Sequence, residues 1–215
     1  ADGSIVAWGF NYYGQCDVPA PNSDFVALAA GGCHSLGLKA DGAIVAWGSN
    51  YYGQCDVPDP NSDFVALAAG PEHSLGLKAD GAIVAWGWNE DGQCDVPDPN
   101  SDFVALAGGG RHGLGLRADG SIVGWGSNDA GQCDAPEPNS DFVGVAAGHH
   151  YSLGLKGYLA GDLNGDGCVN HADLGILLSD WMCDSGDCPG DCDSDGDTDH
   201  SDLGLLLAHW GEGCP

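Results

Sequence analysis

The sequence predicts a mainly β chain with a small helical unit behind it, on three observations. A block of residues returns every 39 positions through residues 1–156, the apolar residues inside each block alternate, and past residue 160 aspartate-rich loops run into helical stripes.

Three markers fix the repeat. Trp-Gly recurs at Trp8, Trp47, Trp86 and Trp125, Gly-Gln-Cys at Cys16, Cys55, Cys94 and Cys133, and Asp-Phe-Val at Asp24, Asp63, Asp102 and Asp141. Within one unit the runs Phe64-Val65-Ala66-Leu67, Leu75-Gly76-Leu77 and Ile83-Val84-Ala85-Trp86 have a period of two, which predicts strands. Ala79-Asp80-Gly81 supplies a tight hairpin turn, and Pro58, Pro60 and Asn61 fill the longer connection. A further strand at Gly53 to Val57 brings the count to four. Four short strands per unit at a fixed period predict β-propeller blades.

The phase of the repeat is informative too. Residues 1–18 correspond to the third and fourth strands of a blade, whereas Phe142 to Ala147 and Ser152 to Leu155 correspond to a first and a second. The expected fold is a four-repeat β-propeller, three intact blades plus two complementary half-blades. The halves pair either within one chain, closing a ring, or head to tail between chains.

In order, the units follow the rough pattern of an Ala-Gly, a His-Ser, a Leu-rich strand, an Asp-Gly turn, a Trp-Gly and a Gly-Gln, and this pattern resembles the regulator of chromosome condensation repeat family across residues 1–156. That family implies a propeller, usually of seven blades, against four repeats here.

Composition sets limits on function. An apolar content of 43%, with 37 glycines and 11 prolines, fits turn-rich β structure with a real core. No run of about 18 apolar residues occurs, so membrane insertion is not expected. No basic-then-apolar leader precedes Ala1, so a secreted chain would be in its mature form. Five basic residues face 32 acidic ones, a net charge of -27 that repels phosphate backbones and argues against a nucleic-acid partner. Four of the cations, Lys39, Lys78, Arg117 and Lys156, share one repeat position, and Arg111 is the fifth.

Residues 157–160 read as a linker to a second domain, 161–215. There Asp162, Asn164, Asp166, Cys168, Asn170 and Asp173 fall at the first, third, fifth, seventh, ninth and twelfth places of a loop with Gly167 at the sixth. This is calcium-loop spacing, in which alternate side chains turn toward a hard cation and the seventh residue offers its carbonyl. The pattern returns at Asp191, Asp193, Asp195, Asp197, Asp199 and Asp202, 29 residues on. Two calcium ions are therefore expected, with folding of the module dependent on them. A solvated acidic tail is the plain alternative, and the ligand spacing argues against it. Behind the loops, Leu174, Leu177, Leu178 and Trp181, then Leu203, Leu206, Leu207 and Trp210, have the spacing of a core-facing helical stripe.

Paired loop-helix units with Asp at the twelfth place look like a type I dockerin, an EF-hand-like module, over residues 161–215. The resemblance implies docking onto a cohesin-like partner through the tenth and eleventh loop positions, here His171-Ala172 and His200-Ser201. The family's frequent Ser-Thr pair is absent from those positions.

Ten cysteines point to an oxidising, extracellular setting. Cys168, Cys183, Cys188, Cys192 and Cys214 crowd the small module, where one or two disulfides would reinforce a limited core. The four repeat cysteines read as buried thiols, and Cys33 as a candidate for a bond across a boundary. Paired CxxC knuckles are absent, which disfavours zinc. His34, His73 and His112 recur with the repeat and are expected to make one hydrogen bond within each blade, ahead of a metal-binding ring. Trp88, Tyr12, Tyr13, Tyr51 and Tyr52 suggest aromatic loops on one face. No catalytic constellation stands apart from the repeat. The sequence thus predicts a secreted, non-enzymatic calcium-binding scaffold that self-associates, in a filament or surface structure, or docks onto a cohesin-like protein. The alternative is a monomeric protein- or glycan-binding propeller tethered by its dockerin.

Overall fold

The structure, a computed structural model, describes residues 2–157, 162–163, 168–179, 189, 192 and 198–212. The chain divides into two compact units, Ala1–Leu155 and Lys156–Pro215.

The first unit holds three antiparallel sheets of three strands: β1 (Phe25–Ala30), β2 (His34–Lys39) and β3 (Ile44–Gly48); β4 (Phe64–Ala69), β5 (His73–Lys78) and β6 (Ile83–Gly87); β7 (Phe103–Gly108), β8 (His112–Arg117) and β9 (Ile122–Gly126). A fourth sheet has only β10 (Phe142–Ala147) and β11 (Ser152–Lys156). The expected Asp-Gly turns join second to third strands, with Gly42, Gly81 and Gly120 at φ 80 to 84°. Each first strand follows an aspartate in the left-handed region, Asp24, Asp63, Asp102 and Asp141 at φ 62 to 65°. Aspartate tolerates that conformation better than a residue with an apolar side chain. It also redirects the chain so that Phe64 N–H donates to Gly42 O at 3.0 Å, linking the turn of one repeat to the first strand of the next.

The core sits between repeats. Leu36, Leu38 and Ile44 of one sheet pack on Phe64 and Trp86 of the next, and Leu75, Leu77 and Ile83 pack likewise on Phe103 and Trp125. The end clusters are shorter. Ile5, Phe25 and Trp47 form one with no leucine pair, and Leu114, Leu116, Ile122 and Phe142 form another, with Ala107, that has no tryptophan.

Three expectations are corrected. The fourth strand at Gly53 to Val57 does not form, because its amides are taken within the loop: the Asn50 side-chain Oδ1 accepts Cys55 N–H at 2.8 Å, and Asp56 N–H turns back to the main-chain Gly53 O at 3.0 Å. The leading half-blade contributes no strand, since among the described residues no strand pairs with Ile5 to Trp8. Among the described residues no sheet closes a ring, so three complete three-stranded sheets and a two-stranded one replace the four-blade count. The unclosed edges are conspicuous. Val6 is 78% and Trp8 84% exposed, and Leu153 and Leu155 are 59% and 66% exposed, whereas Trp47, Trp86 and Trp125 stay at 5 to 8%.

The second unit contains α1 (His171–Ser179) and α2 (His200–Ala208). Leu177 and Leu206 are fully buried beside Val169 and Cys192, while Leu178 and Leu207 face outward, so each stripe is narrower than its spacing suggests. Trp181 lies outside the described residues. Trp210 lies just past α2, its ring edge-on to His171 at 4.9 Å. Val169 ties the halves together, donating to Glu212 O at 3.0 Å and accepting from Gly211 N–H at 2.8 Å. Cys168 is disulfide-bonded.

The aspartate geometry generates a test. Asp63→Val should destabilise the first unit by about 1–2 kcal/mol, the cost of placing an ordinary side chain in the left-handed region. Asp63→Asn should fall within about 0.5 kcal/mol of the parent, since asparagine shares the tolerance. Urea unfolding followed by tryptophan fluorescence reads both.

Candidate functional site: an aromatic row on rigid loops

After each Trp-Gly the chain makes a tight loop with a constant frame. In the loop of β3, Asn50 Nδ2 donates to Asp56 Oδ1 at 2.7 Å, and buried Gln54 accepts Tyr52 N–H at its side-chain oxygen at 2.9 Å. Asn11, Asn89 and Asn128 hold their loops to Asp17, Asp95 and Asp134 in the same way. The residue before each Asn varies, as Phe10, Ser49, Trp88 and Ser127, and the two after it read Tyr-Tyr, Tyr-Tyr, Glu-Asp and Asp-Ala. The frame therefore presents aromatic tips on two loops and acidic tips on two.

The aromatic tips are joined by contacts. Tyr12 and Tyr13 meet edge to face at 5.0 Å, as do Tyr51 and Tyr52 at 4.8 Å, and Tyr52 reaches Trp88 at 6.0 Å. The Arg111 guanidinium lies over Trp88 at 4.8 Å and is 3.4 Å from Asp91. Tyr13, Tyr51 and Tyr52 line a cleft of about 380 Å3 with Cys33, Pro71 and Glu72. The sequence picked out Trp88 and Arg111 separately, each for standing outside the shared position. It gave no sign that they touch.

Beneath the loops, each Gln main-chain carbonyl accepts from the following sheet. Gln15 O receives Ser35 Oγ–H and Trp47 Nε1–H, both at 2.9 Å; Gln54 O receives Ser74 Oγ–H at 2.8 Å and Trp86 Nε1–H at 2.9 Å. Gln93 O receives Trp125 Nε1–H at 3.0 Å, and Gln132 O receives Ser152 Oγ–H at 2.6 Å. The repeat histidines join this layer, but across repeats rather than within each blade as expected. His34 Nε2 pairs with Ser74 Oγ at 2.9 Å and His112 Nε2 with Ser152 Oγ at 3.0 Å. For His73 the repeat position that holds serine for the others is Gly113, and both its ring nitrogens are buried without a side-chain partner. Burial lowers the pKa of His34 and His73 to about 4. It also raises the Cys55 and Cys94 thiols to about 11, with a neighbouring aspartate adding to the shift. Those thiols donate to Ser49 O and Trp88 O and act as partly buried packing groups. Lys39, Lys78 and Arg117 cap the turn carbonyls of Pro21, Pro60 and Pro99 while lying over Phe25, Phe64 and Phe103.

In the second unit, Asp173 and Asp202 are fully buried and hold equivalent places. Asp173 accepts the amides of Leu163 and Asn170 at 2.9 and 2.8 Å; Asp202 accepts those of Cys192 and Asp199 at 2.6 and 2.7 Å. Asn170 and Asp199 in turn accept Ala172 N–H and Ser201 N–H, capping the two helices. Asp162 and Cys168 are also described, whereas Asn164, Asp166, Asp191, Asp193, Asp195 and Asp197 lie outside the described residues. His171 and His200 begin the helices, and His171, Ala172 and Ser201 are exposed.

A family model for the Regulator of chromosome condensation (RCC1) repeat matches residues 25–54, 64–93 and 103–132. These are RCC1 repeats. Among solved structures, the chain is similar to the receptor kinase CR4 ectodomain of Physcomitrella patens, at 25% identity and TM-score 0.62, covering 74% of this chain and 46% of that one. It is also similar to Prp20p of Saccharomyces cerevisiae at 19% identity and TM-score 0.59, covering 72% and 52%, and to human WBSCR16 at 17% and 0.57, covering 73% and 54%. The chain spans about half the length of these structures. No curated protein matches it.

The buried histidines make stability fall with acid. Their folded pKa lies below the ordinary value of 6.5, so the unfolded chain takes up protons first as pH drops from about 6.5 toward 4. The urea midpoint should fall across that window, and His73→Gln should flatten the slope between pH 6.5 and 5, above the range where most carboxylates titrate.

Proposed function

We propose that the chain is a non-enzymatic interaction scaffold of the cell exterior, built from RCC1 repeats that assemble head to tail and a calcium-folded docking module. The observation that carries this reading is the apolar edge of β11, Leu153 with Leu155, exposed where the repeat equivalents of both leucines are buried. Exposed strand edges of this kind mark association sites. Prp20p has binding properties toward Gsp1p and histones and is bound by Kap60, so a protein of this repeat fold can serve protein recognition. A net charge of -27 favours protein or cation partners over nucleic acid here.

Calcium fits the donor set of the second unit. By sequence each loop offers aspartates and asparagines at ligand spacing ahead of a helix, and its last carboxylate, Asp173 or Asp202, is buried and oriented by two amides. Asp162, Asn164, Asp166, the Cys168 carbonyl, Asn170 and Asp173 would hold one ion. Asp191, Asp193, Asp195, the Asp197 carbonyl, Asp199 and Asp202 would hold the other. The exposed His171, Ala172 and Ser201, with His200, would then face a cohesin-like partner. The aromatic row favours a second reading, a monomeric module that binds protein or glycan through Tyr51, Tyr52 and Trp88.

Two measurements test the proposal. Titration calorimetry should find two calcium ions per chain, with Asp173→Ala abolishing one of them, and a chelator should remove the helical circular dichroism signal. Light scattering after size-exclusion chromatography should show an assembly larger than the 21.9 kDa chain. A monomer indifferent to calcium would overturn the scaffold in favour of the monomeric reading.

A further inference from the structure

We infer that the cleft beside Tyr51 and Tyr52 is a seat for an arginine side chain carried by a partner protein, held by the tyrosine rings and the Glu72 carboxylate. This rests on the second reading above, in which the aromatic row is a binding surface, and names the chemistry of what it binds.

The chain supplies its own template for such a seat. In the following repeat the Arg111 guanidinium lies over Trp88 at 4.8 Å and stands 3.4 Å from Asp91, reaching a ring and a carboxylate at once. The backbone fixes where that side chain starts. Arg111 O accepts Ser127 N–H at 2.9 Å, just as Glu72 O accepts Trp88 N–H at 2.9 Å and Cys33 O accepts Ser49 N–H at 2.8 Å. One 39-residue step back, Arg111 is replaced by Glu72 and Asp91 by Tyr52. The parts are thereby exchanged: the loop tip that was an acid is a ring, and the place that held the guanidinium holds a carboxylate. Rings and acid are both present, and among the described residues no cation pairs with Glu72.

The cleft suits the group that would match them. It measures about 380 Å3 and is walled by Tyr13, Tyr51, Tyr52, Cys33, Pro71 and Glu72. Tyr51 and Tyr52 meet edge to face at 4.8 Å, and Tyr52, 41% exposed against 84% for Tyr51, is the inner ring of the pair. Their loop is held by Asn50 with Asp56 and by Gln54 on the Tyr52 amide, so neither phenol is spent on keeping the backbone in place. A seat shaped in advance loses less on binding.

Charge decides what sits there. A ring face attracts a cation through its quadrupole, and a carboxylate beside it adds a full opposite charge. Arginine fits this combination better than lysine, because a planar, weakly hydrated guanidinium stacks on a ring and donates to a carboxylate together. The chain uses the same cation-on-ring contact elsewhere, with Lys39, Lys78 and Arg117 over Phe25, Phe64 and Phe103. Four of its five cations are engaged in this way, and the net charge is -27, so the arginine for this cleft comes from outside. A neutral glycan would use the rings and leave Glu72 unmatched.

The test is titration of the full chain, calcium present, at about 0.15 M salt to screen the general negative field. The probes are a glycine-spaced arginine peptide, the same peptide with citrulline, arginine's neutral isostere, and a linear glucose hexasaccharide, each labelled and read by fluorescence anisotropy. The citrulline peptide should bind about tenfold or more weakly than the arginine peptide, and Glu72→Gln or Tyr51→Ala with Tyr52→Ala should weaken the arginine peptide by a similar factor. Asp129→Asn, which removes an exposed charge from another loop tip, should change its binding by less than about twofold. Circular dichroism checks that each variant folds. A loss in Glu72→Gln no larger than that in Asp129→Asn would overturn the seat, the peptide then answering to net charge alone. Hexasaccharide binding that disappears with the two tyrosines, beside no arginine binding, would overturn the ligand chemistry and leave the aromatic row as a binding surface. Binding of neither probe would overturn both.

Discussion

The dependence of each repeat on its neighbour governs the first unit. Leu75 and Leu77 leave water only because Phe103 and Trp125 arrive from the following sheet, and the same holds one step earlier for Leu36 and Leu38 against Phe64 and Trp86. The polar layer repeats the arrangement, with the Gln54 carbonyl reached by Ser74 and Trp86 from the next repeat. Stability in such a chain is a sum over junctions, and a terminal sheet without a junction shows apolar surface. The exposure of Leu153 and Leu155, on a sheet with two strands among the described residues, accords with this.

The constant frame also explains how variable tips are tolerated. Asn50, Gln54 and Asp56 satisfy the loop backbone from within, so Tyr51 and Tyr52 contribute little to holding the loop and can point outward. The cations are used in a comparable way. Lys39, Lys78 and Arg117 donate to turn carbonyls and cover phenylalanine faces, whereas Arg111 stacks on Trp88 in the aromatic row.

Much of this architecture was legible in the sequence, because strand alternation, the Asp-Gly turn and the 39-residue step are local or strictly periodic signals. What escaped was nonlocal or carried by side chains. Gly53 to Val57 reads as a strand only until Asn50 is seen to take the Cys55 amide. Ile5 to Trp8 has the composition of a strand, but a strand needs a partner, and composition cannot say where the partner lies. The histidine bond was assigned to the wrong repeat, since a fixed period looks the same whether a contact stays inside one unit or crosses to the next. A signal was present for the Asn22 clamp on Ile5, namely an Asn at the same place in every unit, and the longer connection concealed its role. In the second unit the twelfth-position aspartates were legible from spacing, and their two amide bonds each add an orientation that spacing could not supply.

Because the apolar seam between units is closely alike from one step to the next, a whole 39-residue block can be inserted or lost without creating a new kind of seam. Gene duplication or slippage in register with the block would therefore yield folded products at once, so the number of units is free to drift while the chemistry of each seam is held fixed.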